Sequence, residues 1–205
     1  KEWGYDYLKL DFLYNQAECL ENGDGFASNR AWSGNAHVRR LLALVREVMG
    51  PETYLCACNH PFELGGANVD EVRLTNDIAS FWQNAEYCYH AHAARVFMAK
   101  RWFLADPDFT VVRVPGVTWE DGQHPFHTET AWNRNQENTG WRKGPFWTEE
   151  EMKVALALVI LSGGSLILGD HLFQLNGKGD AYLKVALEYG RGEPAWPVDL
   201  DGRRP

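Results

Sequence analysis

The run Tyr7 to Phe12 alternates Tyr7, Lys9 and Asp11 with Leu8, Leu10 and Phe12, so a strand here would carry an ammonium and a carboxylate on one face. At that spacing Lys9 favours the ionised form of Asp11 and leaves a donor for a nearby hydroxyl, which makes Asp11 a candidate nucleophile. A solvated ion pair at a strand end uses the same two residues, so the motif alone does not choose between them. A second carboxylate, Asp77, stands at the end of another short apolar run, with Arg73 four residues before it. Two separated carboxylates at strand ends can divide the labour of nucleophile and general acid/base, as glycoside cleavage requires.

Other residues of chemical interest carry less. Cys56 and Cys58 would point the same way on a strand, but neither they nor Cys19 and Cys88 show C-x-x-C metal spacing, and Cys58 taken alone reads as a small buried hydrophobe. His90 and His92 lie two apart in a helical stretch and cannot share a face, and His124 and His127 lack carboxylates or thiols at ligand spacing. No metal site and no cofactor is expected. Asp106 and Asp108 flank Pro107, where a turn and a substrate contact are both open, and Asp170 after Gly169 is similar. The chain has 9 Trp, many in polar surroundings, where flat rings suit sugar faces as well as cores.

These residues must be held by regular elements. Apolar spacing predicts strands at Tyr7 to Phe12, Tyr54 to Cys58, Val72 to Leu74, Trp102 to Ala105 and Ser165 to Leu168. It predicts helices at Ala36 to Met49 and Ala85 to Met98, one opened by a capping box at Thr148 to Glu151 and running through Leu161, and one at Lys178 to Tyr189. Alternating strands and helices imply a parallel sheet, either open and doubly wound or closed as a barrel. No Gly-rich phosphate loop follows any strand, whereas Lys9, Asp11, Cys58, Arg73, Asp77, Asp106 and Asp170 cluster at strand C-terminal ends, as in a barrel. Gly116 to Trp147, with Trp119, Trp132, Trp141 and Trp147, is too long for an ordinary connection and reads as a wall or plug of a site, or as rings packed onto their own domain.

The balance of 45% hydrophobic and 23% charged residues in 205 belongs to a chain with a real core. A net charge of -8 without a basic cluster argues against nucleic acid, and no apolar run is long enough for a membrane span.

Taken together, Tyr7 to Phe12 (YLKLDF), Val69 to Trp82 (VDEVRLTNDIASFW), Trp102 to Asp108 (WFLADPD) and Leu161 to Asp170 (LSGGSLILGD) resemble, in order, motifs of the melibiase-type α-galactosidases, glycoside hydrolase family 36 of clan D. The resemblance implies an α/β fold, a (β/α)8 TIM barrel fragment comprising roughly strands four to eight over residues 1–190. Residues 191–205 would form a linker toward a further C-terminal β-domain. It implies a retaining α-galactosidase with Asp11 as nucleophile, Asp77 as acid/base and Lys9, Cys58 and Arg73 lining the sugar subsite, with Trp132, Trp141, Asp106 and Asp170 as further candidate contacts. Its partner would be an α-galactoside oligosaccharide or glycoconjugate. A raffinose-synthase-type galactosyl transferase and a non-catalytic carbohydrate-binding relative are the alternatives. The N-terminus reads as cut, without the first three strands that would read the sugar 4- and 6-hydroxyls, and the compartment stays open.

Overall fold

The computed structural model describes residues 2–23, 29–114, 147–170, 172–190 and 192–196. These fall into two compact units, residues 1–74 with 97–106, and 75–96 with 107–205.

The first unit is built on a four-stranded sheet in the order β1 (Tyr7–Leu10), β2 (Tyr54–Ala57), β3 (Glu71–Arg73), β4 (Leu104–Asp106), parallel throughout. In β2, Leu55, Cys56 and Ala57 are all fully buried, as expected of an inner parallel strand covered on both faces. Outermost β1 keeps the alternation seen in the sequence: Tyr7 and Lys9 are exposed, Leu8 and Leu10 half-buried. It stops at Leu10 rather than at Phe12, because Phe12 turns into the left-handed region at φ 58° and starts helix α1 (Leu13–Glu21). Sequence reading placed no helix there. Helix α2 (Gly34–Met49) starts two residues before the expected Ala36, with Ser33 Oγ accepting from Ala36 N at 3.3 Å. At its other end Arg46 donates to Thr53 O and pairs with Asp70 Oδ2, each at 2.6 Å, while Leu55 N donates to the same carboxylate oxygen at 2.7 Å. That cluster ties the end of α2 to β2 and to the residue before β3.

The second unit packs α3 (Trp82–Arg95), α4 (Glu149–Ser162) and α5 (Gly177–Tyr189) around Ala85, Val111, Val112, Trp147, Met152, Leu156, Leu183 and Ala186. α3 begins earlier than expected and gives way to a 3-10 turn at Val96–Met98. The capping box of α4 forms as read: Thr148 Oγ1 accepts from Glu151 N at 3.3 Å, and Glu151 accepts from Thr148 N at 2.6 Å.

Two strand expectations are corrected. The fourth strand begins at Leu104, because residues 100–102 form a turn, with Lys100 at φ 55°, that an isolated bridge between Ala99 and Phe103 closes. Ser165 to Leu168 forms no ladder and keeps one parallel bridge, Thr110 to Leu168, with Thr110 N on Ile167 O at 2.7 Å and Gly169 N on Thr110 O at 3.0 Å. Among the described residues the sheet therefore has four strands where five were expected.

Candidate active site

Register explains how the first unit gathers its polar residues. The pairs Leu10 to Ala57, Ala57 to Val72 and Val72 to Ala105 form an apolar row on one face of the sheet. One step further along, Arg73 pairs with Asp106, and the same row continues through Cys58 to Asp11, just past the ends of β2 and β1. Because side chains alternate, Asp11, Cys58, Arg73 and Asp106 project to the face opposite the apolar row, at the C-terminal ends of all four strands. One step earlier on that face lie Lys9, Cys56 and Glu71. Cys58, Arg73 and Asp106 are at most 5% exposed, and Cys56 and Glu71 are fully buried.

The electrostatics of this row centre on Asp11. Burial pushes its carboxyl up, but a hydrogen bond from the Cys58 thiol, a bond from Phe12 N at 2.7 Å, and the charges of Lys9 and Arg73 together hold it below the usual carboxylate range. Cys58 is its counterpart. Burial first, then the neighbouring Asp11 carboxylate, push the thiol up to about 11 against the pull of Arg73 and Lys9, so it remains a neutral donor. Deeper on the face, burial and the charges of Asp106 and Glu71 push Cys56 up to about 12, and its sulfur reaches Asp106 Oδ2 at 3.9 Å. The chemical capacity of the row is that of an ionised, partly screened oxygen nucleophile beside two cations and a neutral donor.

In the second unit, Asp77 is exposed on the irregular segment leading into α3. Its backbone is anchored: Asn84 Nδ2 donates to Asp77 O at 2.9 Å, and Ile78 N donates to Asp108 Oδ2 at 2.6 Å. Asp170 has a different setting. Its side chain has no exposure, accepts from Val112 N at 2.7 Å and pairs with Arg113 Nε at 2.9 Å, so its carboxylate is engaged in holding the Val112 segment. Burial raises the Asp170 carboxyl and lowers the Arg113 guanidinium, and each opposes the other's shift by pairing. Trp147, at 2% exposure, donates its indole N–H to Arg113 O at 2.6 Å and belongs to the core, so packing is the correct reading of that ring. Trp119, Trp132, Trp141, His124 and His127 lie outside the described residues.

Glu71, Cys56 and Asn84 were not singled out as site residues by the sequence reading, whereas Asp108 was weighed there as a turn residue or a substrate contact. Glu71 stands two residues before Arg73 and so shares its face, and the C-x-C spacing put Cys56 on the face of Cys58. Nothing local marks Asn84, whose partners lie five and seven residues away. Among the described residues no three His, Cys, Asp or Glu side chains gather as a metal would need, and no helix is long and apolar enough to cross a membrane.

No protein-family model matches the chain. Among solved structures it is similar to an α-galactosidase from Thermus thermophilus in complex with stachyose, at 24% identity and a TM-score of 0.56, over 91% of this chain and 35% of that one. The same enzyme in complex with p-nitrophenyl α-D-galactopyranoside matches at 23% identity and a TM-score of 0.56, over 92% and 34%. The likeness is one of fold, an α/β arrangement shared with an α-galactosidase, and the chain spans about a third of the length of the structures it matches.

Proposed function

We propose that this chain is the part of a retaining α-galactosidase that carries its nucleophile and its acid/base, and that its four strands and the Ser165 to Leu168 segment belong to a (β/α)8 barrel, approximately strands four to eight. Residues 1–190 are barrel on this reading, and 191–205 lead to a further domain. The observation that carries the reading is the row of Asp11, Cys58, Arg73 and Asp106 at the strand ends, with Asp11 held ionised.

In the proposed reaction Asp11 attacks the anomeric carbon while Asp77 protonates the leaving oxygen, and Asp77 then takes a proton from the water that releases the sugar. Such a double displacement works best with the two carboxyl groups about 5 to 5.5 Å apart. An ionised Asp11 suits the first step, since a protonated carboxyl has lost the charge that attacks. Lys9, Cys58 and Arg73 bind sugar hydroxyls, with the buried Cys58 and Arg73 setting a rigid floor. The proposed partner is a terminal α-galactoside, in keeping with the ligands of the structures it resembles. Trp132, Trp141, Asp106 and Asp170 remain proposed contacts, although the ion pair and backbone bond of Asp170 leave it little free capacity.

The test is Asp11→Gly in the full-length gene product, assayed on an aryl α-galactoside with added azide. We expect turnover to fall by about four orders of magnitude or more, and azide to restore part of it as the β-galactosyl azide, the inverted product. Full retained activity would refute the assignment.

A further inference from the structure

The backbone of Asp77 is anchored on both sides of its α-carbon. The Asp77 carbonyl accepts from Asn84 Nδ2 at 2.9 Å, and the Ile78 N–H donates to Asp108 Oδ2 at 2.6 Å. These are the two ends of one peptide group, so its plane is fixed from both sides. Ala79 N donates to Asn84 Oδ1 at 2.5 Å, closing a ring through the same amide, and the Cys88 thiol reaches Asn76 O at 3.4 Å on the other side of the Asp77 α-carbon. With both flanking peptide planes anchored, the direction of the Asp77 Cα–Cβ bond is set.

The anchoring groups are themselves buried. Asn84 is 4% exposed in the first turn of α3, and Asp108 is 2% exposed just beyond Pro107, so neither bond competes readily with water. Asp108 adopts φ 77°, a left-handed conformation that among non-glycine residues is tolerated best by Asp and Asn. A strained residue whose carboxylate reaches a neighbouring segment has a geometric task there.

We infer that Asn84 and Asp108 are positioning residues, which aim the Asp77 carboxyl at the leaving-group oxygen by clamping the peptide between Asp77 and Ile78. The inference rests on the proposed role of Asp77. Proton donation needs heavy atoms within about 2.6 to 3.2 Å, and a misplacement of about 1 Å costs on the order of a hundredfold, so a clamp remote from substrate has leverage on the rate.

Leaving-group dependence distinguishes aiming from general support. Methyl α-galactoside needs a proton on its departing oxygen, whereas α-galactosyl fluoride departs with little help. In the full-length protein, Asn84→Ala should lower kcat/KM by about thirtyfold or more for the methyl galactoside and by about threefold or less for the fluoride. Asp108→Ala should show the same split, and Asp108→Asn, which keeps an acceptor oxygen, should recover part of the methyl galactoside rate. Equal losses on both substrates, or no loss on either, would overturn the inference. If Asn84→Ala does not fold, as judged by circular dichroism and its melting transition, Asp108→Ala decides by the same criteria. Asp77→Ala is the reference. If it shows no leaving-group split, the acid/base role itself fails and the clamp with it; if it shows the split and the two clamp variants do not, only the clamp fails.

Discussion

His92 illustrates how far a single side chain can be pushed by its surroundings. It lies on α3 at 8% exposure among Ile78, Tyr89, Trp147 and Val159, with both ring nitrogens buried and lacking a hydrogen-bond partner among the described residues. Burial first, then the charge of Arg95, lower it from 6.5 to about 4. The folded state therefore binds fewer protons than the unfolded state between those values, and stability rises with pH across that window. His92 costs nothing above about pH 6.5, and on acidification the second unit loses stability progressively until about pH 4. A shift of this size corresponds to roughly 3 kcal/mol. Urea midpoints measured at pH 7 and pH 5 should differ markedly, and His92→Leu should shrink that difference; an unchanged pH dependence in the variant would place its origin elsewhere. Asp11 acts with the same sign at lower pH, since its lowered carboxyl contributes above the ordinary carboxylate value and stops contributing as pH falls through its folded value.

At the scale of elements, α1 and α2 are set by a close approach. A Cβ added to Gly34 at the start of α2 would lie 1.9 Å from Ala17 O in α1, which is backbone and cannot swing away. Gly34→Ala must separate the two helices and should cost about 3 kcal/mol, the upper part of the range for overpacking, read as a lowered melting midpoint. A neutral result would mean that α1 shifts without resistance. Because α1 follows directly from Asp11 and Phe12, loosening α1 should also loosen the turn that presents the carboxylate.

For the whole molecule, the proposed barrel has a consequence that the four-stranded sheet makes concrete. In that sheet β1 and β4 are outermost, and an outermost strand presents backbone groups with which a further strand can pair. On the proposed reading, the remaining strands of the barrel complete the sugar subsite. The isolated chain should self-associate on size-exclusion chromatography and should not turn over p-nitrophenyl α-galactoside. A soluble monomer with ordinary turnover would show that nothing further is required.

Periodicity and local caps determined much of this protein. The alternation in Tyr7 to Leu10, the apolar spacing of α2 and the Thr148 to Glu151 box are short-range signals, and the elements formed where they stand. Register was legible in part, since Lys9 with Asp11 and Cys56 with Cys58 share a face by the two-residue repeat alone. Three features needed the tertiary structure. Helix α1 has no side-chain cap, and its first N–H groups bond instead to Cys58 O and Asn59 O beyond β2, at 3.5 and 2.5 Å, partners more than 40 residues away. Ser165 to Leu168 has the composition of a strand, but a ladder needs a partner in register and among the described residues the segment bridges to Thr110 alone. The left-handed backbone of Asp108 goes with a bond to Ile78 N, 30 residues away, and the two hydrogen bonds of Asn84 depend on how residues 77–79 fold against the start of α3, so no repeat or cap in the sequence encodes either.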